Sequence, residues 1–209
     1  MDRIQPIVLV GGKSRRFGRD KLREPVEDRM LVERPIDALR QVFGPRVAVV
    51  GECDAAVARM GDLVIRDRYP GVGPAGGILS ALEHIAETPR DSVTTSSITA
   101  AGGPMAVFVL AGDLARVHRS LVQTLVDAAA ADPLADTVLA ATGDHIEPCI
   151  GIYRYTAAAP LRLLVAGVHD REHERERSLR SAIAHMRIAR VAVDPAMTLN
   201  VNRPDDLSL

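Results

Sequence analysis

The chain has 209 residues, 26 Lys and Arg against 27 Asp and Glu for a formal net charge of -1, and 47% hydrophobic and 25% charged residues. That length suits one α/β domain and is short for two, and the composition is that of a soluble globular chain with a real core. The charge balance gives no support to a nucleic-acid binder, and no apolar run reaches the length of a membrane span. With three Phe, three Tyr and no Trp, the large core residues are mostly Val, Leu, Ile and Met. The opening "MDRIQPIVLVGG" lacks the cleavage signature of a signal peptide. Cys53 and Cys149 have no metal-ligand spacing and read as free thiols of a reducing compartment, so the protein is expected in the cytoplasm.

Short apolar runs alternate with longer helical patterns. "IQPIVLV" (Ile4 to Val10) reads as a buried strand entering a glycine loop. "RMLVERPIDALRQVF" (Arg29 to Phe43) suits a helix whose start is drawn towards Arg34 by Pro35. Strands are expected at Arg46 to Gly51 and Asp62 to Asp67, then a helix at Gly76 to Glu87. "MAVFVLAGD" (Met105 to Asp113) is continuously apolar and should lie mid-sheet, covered on both faces. Helices around Leu121 to Ala131, Ala157 to Val165 and Leu179 to Ala184 follow. Strands are expected at Asp136 to Ala141, Cys149 to Tyr153 and Ile188 to Val193. This alternation predicts one α/β domain over residues 1–209, a mainly parallel sheet with helices on both sides. "TPRDSVTTSSITAAGGP" (Thr88 to Pro104) is small, polar and aperiodic, and reads as a flexible surface insertion.

The loop "LVGGKSRRFGRDK" (Leu9 to Lys21) is the first segment that speaks of chemistry. Its Gly-Gly-Lys-Ser imitates the tail of a P-loop, but the first glycine of that motif would fall on Ile7. The dinucleotide fingerprint fails as well, because the glycines are Gly11, Gly12 and Gly18. What remains is a strand ending in two glycines, whose N–H groups can turn to an anion. Three arginines and two lysines follow within the nine residues 13 to 21. Such charge suits a triphosphate whose pyrophosphate leaves, a reaction stabilised mainly by electrostatics and a metal ion.

This loop resembles the signature of the MobA-like, molybdenum-cofactor guanylyltransferase group of nucleotidyltransferases, Leu-x-Gly-Gly-x-Ser-x-Arg-(Met/Phe)-Gly-x-Asp-Lys. "GVGPAGGILSAL" (Gly71 to Leu82), "FVLAGD" (Phe108 to Asp113), "IEPCIGIYR" (Ile146 to Arg154) and "LNVNRPDDL" (Leu199 to Leu207) resemble the same group in the same order. "RSLRSAI" (Arg177 to Ile183) adds a weaker match. The resemblance implies a Rossmann-like, GT-A-like three-layer sandwich. It implies an Mg²⁺-dependent transfer of GMP from GTP to molybdopterin cofactor, with release of pyrophosphate. A cofactor-delivery protein or molybdoenzyme chaperone would be a partner; nucleic acid and membrane would not.

The same resemblance assigns roles. Leu9, Val10, Gly11, Gly12, Ser14, Arg15 and Gly18 would form the nucleotide loop, with Lys21 and Arg16 offsetting phosphate charge. For Lys21 the alternative is a solvated lysine, and for Gly18 a turn. Asp113 ends the central strand, where ligands of open α/β sheets bind, and a carboxylate there suits Mg²⁺ shared with phosphates; the alternative is a helix cap. The family continues with Asp-Met-Pro or Asp-Thr-Pro, whereas this chain has Asp113-Leu114-Ala115. Asp67 matches a nucleotide-contacting aspartate or is a strand-end turn. Gly73, Pro74, Ala75, Gly76 and Gly77 would pack against the nucleotide or simply shape a turn. Glu147, Asn200 and Asn202 fall on the acceptor side, with either Asn able to assist Asp113.

"HDREHERERS" (His169 to Ser178) spaces two histidines like helical metal ligands but reads as a solvated charged stretch. Base recognition is poorly marked, because Gly51-Glu52 stands where the family often has a polar side chain. Competing readings are a cytidylyltransferase of the same cofactor, a sugar- or polyol-phosphate nucleotidyltransferase, and a nucleotide-binding homologue without activity.

Overall fold

The computed structural model describes residues 3–11, 20–88, 105–167 and 178–207. The chain opens with β1 (Arg3–Leu9) and, past the glycine loop, a small antiparallel hairpin of β2 (Pro25–Val26) and β3 (Arg29–Met30). Then come α1 (Glu33–Phe43), β4 (Ala48–Val50), the single turn α2 (Ala55–Ala58), β5 (Leu63–Ile65) and α3 (Pro74–Glu87). The second half holds β6 (Met105–Ala111), α4 (Arg119–Ala131), β7 (Thr137–Thr142), β8 (His145–Arg154), α5 (Ala158–Ala166), α6 (Leu179–Ile183) and β9 (Ile188–Ala192).

Among the described residues the main sheet has seven strands in the order β5-β4-β1-β6-β8-β7-β9. β5, β4, β1 and β6 are mutually parallel, β9 is parallel to β7, and β8 runs antiparallel to both of its neighbours. β1 and β6 pair along seven residues, Arg3 with Met105 through Leu9 with Ala111, which makes them the sheet's centre.

Side chains alternate across a strand, so the continuous apolar run of β6 feeds both layers. Phe108 and Leu110 join Ile36 and Leu39 of α1 and Leu125 of α4 on one face. Val107 and Val109 join Ile78 and Leu82 of α3 and Leu161 of α5 on the other. This three-layer arrangement is the expected Rossmann-like sandwich.

Helix α1 begins at Glu33, one residue before the start expected near Arg34 and not at Arg29. Pro35 then falls in the first turn, where its missing N–H has no intrahelical partner to lose. The residues ahead of it fold into the hairpin, turning through Glu27 at φ 61°. Pro74 opens α3 in the same permissive position. β8 starts four residues before the expected Cys149. Its ladder with β7 is broken: Leu139 pairs with Gly151, but Ala140 pairs with Glu147. Pro148 cannot donate to a ladder, so the chain bulges there, and Tyr153 Oη holds the bulge by donating to the Pro148 carbonyl at 2.6 Å. The expected insertion lies outside the described residues except for Thr88, which caps α3 by donating to the His84 carbonyl through N–H and Oγ1.

Candidate active site

The carboxyl ends of β1, β4 and β6 open into a cleft of about 680 Å³. β1 delivers Leu9, Val10 and Gly11 to its floor. The Val10 N–H donates to the Val50 carbonyl at 2.9 Å, and the Gly112 N–H donates to the Leu9 carbonyl at 2.9 Å, so strand pairing continues into the site. A Cβ at Gly112 would stand 2.9 Å from that same Leu9 oxygen, which explains why "LAGD" carries a glycine before its aspartate.

Asp113 follows β6 and meets Lys21 from a separate segment. Lys21 Nζ donates to Asp113 Oδ2 at 2.5 Å and to the Val201 carbonyl at 3.0 Å. Both side chains are four-fifths buried, at 19% and 18% exposure, so the pair feels less screening than a surface ion pair. Three local devices aim it. The Asp20 carboxylate caps the turn Lys21–Arg23 by accepting the Leu22 N–H at 3.1 Å. The Val201 N–H donates to the Asp113 carbonyl at 2.9 Å, beside a bridge between Leu114 and Asn200. Val26, Leu31, Ala115 and Val201 form a small apolar cluster beneath. The departure Asp113-Leu114-Ala115 therefore leaves this junction well packed: Leu114 is fully buried and the Ala115 N–H reaches the Leu199 carbonyl at 3.3 Å.

One wall of the cleft is the turn between β5 and α3. Asp67 Oδ1 accepts the Tyr69 N–H at 2.9 Å and the Ser80 hydroxyl at 3.3 Å, while the Arg68 N–H donates to Ser80 Oγ at 2.9 Å. Tyr69 Oη donates to Glu83 at 2.8 Å, which ties the turn to α3. Asp67 and Gly73 line the cleft. Gly76 stands behind this wall, since a Cβ there would lie 2.7 Å from the Tyr69 carbonyl oxygen.

The opposite wall is the β8 bulge. Glu147, Pro148 and Cys149 line it, with Asn200 nearby. Burial pushes the Cys149 thiol up to about 12, and the carboxylates of Asp113 and Glu147 add to that shift. It is a protonated, inert wall residue at neutral pH. Beyond Glu147, Arg180 Nη2 lies 2.7 Å from His145 Nε2, which is 3.5 Å from Glu147 Oε1. Asn202 does not line the cleft; it is exposed, and its backbone N–H is held by Asp206 at 2.8 Å. Gly12, Ser14, Arg15, Arg16 and Gly18 lie outside the described residues, as does the charged stretch apart from Ser178.

Sequence reasoning named most of the described cleft residues, Gly77 among them, but missed Gly112 and Cys149 as lining groups, and it read no role from Glu52. Among the described residues no group of three or more His, Cys, Asp and Glu is arranged to cage a metal. A single carboxylate fits the way Mg²⁺ binds when phosphates supply further oxygens, and Asp113 and Asn200 provide oxygen donors at this wall.

The model of the MobA-like NTP transferase domain matches residues 6–188 of the chain. The chain belongs to that family. As a MobA-like protein it is a nucleotidyltransferase, and two relatives are similar over most of their lengths. A protein of Chloroflexus aggregans named "Probable molybdenum cofactor guanylyltransferase" is 30% identical over 97% of this chain and 91% of its own. The molybdenum cofactor guanylyltransferase of Rhizobium johnstonii is 30% identical over 98% and 90%. The structure of molybdopterin-guanine dinucleotide biosynthesis protein A from Archaeoglobus fulgidus has a TM-score of 0.69 at 20% identity, over 97% of this chain and 94% of that one. That likeness shows the fold. Among the described residues no helix is long and apolar enough to cross a membrane.

Proposed function

We propose that this MobA-like protein transfers GMP from GTP to the phosphate of molybdopterin cofactor, giving the guanine dinucleotide form and pyrophosphate. The observation that carries the reading is the Lys21–Asp113 pair at 2.5 Å in the cleft of a chain whose relatives bear that name. An acceptor phosphate oxygen attacks the α-phosphorus, a new phosphorus–oxygen bond forms, and the bond to the β-phosphate oxygen breaks with its electrons leaving on pyrophosphate. Such a transfer needs positioning and charge stabilisation more than covalent help from the protein.

In this reading the nucleotide lies over Leu9, Val10 and Gly11, with Gly12, Ser14, Arg15 and Gly18 completing its loop. Lys21 and Arg16 bear on the phosphates. Asp67 and Gly73 form the wall beside the nucleoside, and Gly76 braces it from behind. Glu147, Asn200 and Asn202 belong to the acceptor side, of which Glu147 and Asn200 line the cleft. Asp113 would hold Mg²⁺, which when bound neutralises charge on the phosphates. Lys21 is released from Asp113 to the phosphates as that charge arrives. The protein would work in the cytoplasm as a single domain, handing product to an apoenzyme or chaperone.

Pyrophosphate release with Mg²⁺ and each of GTP, CTP, ATP and UTP, with and without molybdopterin cofactor, tests this. GTP-specific release that requires the cofactor is expected. Release with CTP instead would keep the chemistry and move the specificity. No release from folded protein supplied with GTP and active cofactor would overturn the reading.

A further inference from the structure

Ser80, Glu83 and Glu87 follow one another at spacings of three and four residues along α3, so they form one stripe of the helix. That stripe meets the turn between β5 and α3. Ser80 is fully buried and engages Asp67 and the Arg68 N–H. Glu87 is forked by the Arg68 guanidinium, with Nη1 donating at 2.6 Å, but both side chains are exposed and such pairs hold weakly. Glu83 is different, because its side chain is only 12% exposed. Its Oε2 accepts the Tyr69 hydroxyl at 2.8 Å, its Oε1 accepts Arg162 Nε of α5 at 3.0 Å, and Arg68 Nη1 stands 3.6 Å away. Glu83 lies in the interior of α3 and caps neither of its ends.

The turn that Glu83 holds is a wall of the cleft. Asp67, Pro70, Gly71 and Gly73 line the cavity, while Tyr69 packs on the core formed by α3 and α5. The lining part has little packing of its own. Gly71 and Gly73 sit at φ +91° and +76°, and nothing lies within 4 Å of where a Cβ would stand on either. Two glycines in such open positions leave the backbone free to rearrange. Tyr69 is therefore the anchor next to the flexible part of the wall. Its N–H also fixes Asp67 Oδ1 at 2.9 Å, so a shift of Tyr69 moves the wall on both sides of it.

We propose that Glu83 is a positioning residue for the nucleotide: through the Tyr69 hydroxyl it holds the wall from Asp67 to Gly73 in the shape that binds a nucleoside triphosphate. Glu83 lies outside the cleft lining and acts through Tyr69. The hydrogen bond to its carboxylate is of the strong, charge-assisted kind and is largely shielded from water. Without it, the wall visits conformations that do not bind, and apparent affinity falls in proportion to the competent fraction that is left. Arg162 completes the arrangement by holding the second carboxylate oxygen, which leaves the first one for Tyr69. The inference rests on reading this cleft as the nucleotide site.

The test is titration calorimetry with Mg²⁺ and GTP or CTP, on the unmodified protein and on Tyr69→Phe, Glu83→Ala, Glu83→Gln and the double variant Tyr69→Phe/Glu83→Ala. All are measured well below their thermal unfolding midpoints. Tyr69→Phe and Glu83→Ala should each bind GTP roughly 10-fold more weakly, the scale of one hydrogen bond to a charged acceptor. Glu83→Gln should stay within about 3-fold of the unmodified protein, because its amide oxygen still accepts the Tyr69 hydroxyl. The double variant should be no more than about 3-fold weaker than either single one, since both remove the same bond. Lowered unfolding midpoints with unchanged affinity would make the pair a stability device only and overturn the proposal. Losses that multiply in the double variant, or Glu83→Gln as weak as Glu83→Ala, would overturn it as well. If the unmodified protein prefers CTP, the guanylyltransferase reading falls, and the same ratios read with CTP decide the role of Glu83. Folded protein that binds neither triphosphate would bring down both.

Discussion

Replacing Lys21 by Met and Asp113 by Asn, singly and together, probes the centre of the site. The two groups touch at 2.5 Å with 19% and 18% exposure. At an effective dielectric of about 20, unit charges ~4 Å apart attract by ~4 kcal/mol, and desolvation of both groups offsets part of this. The net coupling should be about 1–3 kcal/mol. Loss of one preorganised group that meets developing charge lowers turnover by roughly 10²- to 10³-fold. Each single variant should therefore lose that much kcat/KM in GTP- and cofactor-dependent pyrophosphate release. Because the two residues act as a unit, the double variant should fall short of the product of the single losses by about 5- to 150-fold. Circular dichroism would establish that all three remain folded. Losses that simply multiply, or a single variant keeping more than about a tenth of the activity, would refute the coupling argument.

Gly51→Ala should destabilise the protein by about 1–3 kcal/mol, since its φ of +122° is strained for any L side chain and its Cβ would strike Gly11; thermal unfolding reads the loss, and calorimetry should show weaker GTP binding. Arg154 is 3% exposed and donates to the carbonyls of Asp132 at 3.1 Å and Ala129 at 2.7 Å, and to that of Ala135, closing the end of α4. Arg154→Met should cost about 3 kcal/mol or more in urea unfolding, because buried carbonyls lose a charged donor. Asp62 is held below the usual carboxylate range: burial works against ionisation, but the hydrogen bonds from Arg40 and the Val47 N–H outweigh it. A depressed folded pKa gives stability that is present above the unfolded value of about 4 and lost as pH falls through the folded one. Asp62→Asn should thus cost about 1 kcal/mol at neutral pH, and in urea titrations the difference from the parent protein should shrink as the pH is taken below the unfolded value of about 4.

Much of the architecture was legible because apolar runs must be buried whatever their partners. "MAVFVLAGD" could only be a strand covered on both faces, and it lies between β1 and β8 with its alternate side chains in the two cores. The glycine loop, Lys21, Asp113 and the "NVN" segment were legible as motifs. Their meeting was not: Lys21 and Asp113 are 92 residues apart, and Lys21 reaches Val201 across 180. No local pattern carries that distance information.

The hairpin at Pro25–Met30 was hidden because strands of two residues have no period to detect, and Met30 and Leu31 read equally well as the start of a helix. The β8 bulge escaped notice for a related reason. Pro148 announces a break in pairing, but only the partner strand decides where the ladder resumes, here Glu147 opposite Ala140. That register brings Glu147 and Cys149 to the cleft wall.

The sequence alone therefore determined the strands of the main sheet, the layers and the kind of chemistry, since hydrophobic period, glycine spacing and charge density are properties of neighbouring residues. Tertiary structure decided which of the two asparagines lines the cleft and that Gly76 braces a wall from behind. It also decided that Glu52, at the end of β4, lines the cleft. Those outcomes depend on which strand ends come to lie side by side, and contacts between distant segments are set by packing of the whole sheet.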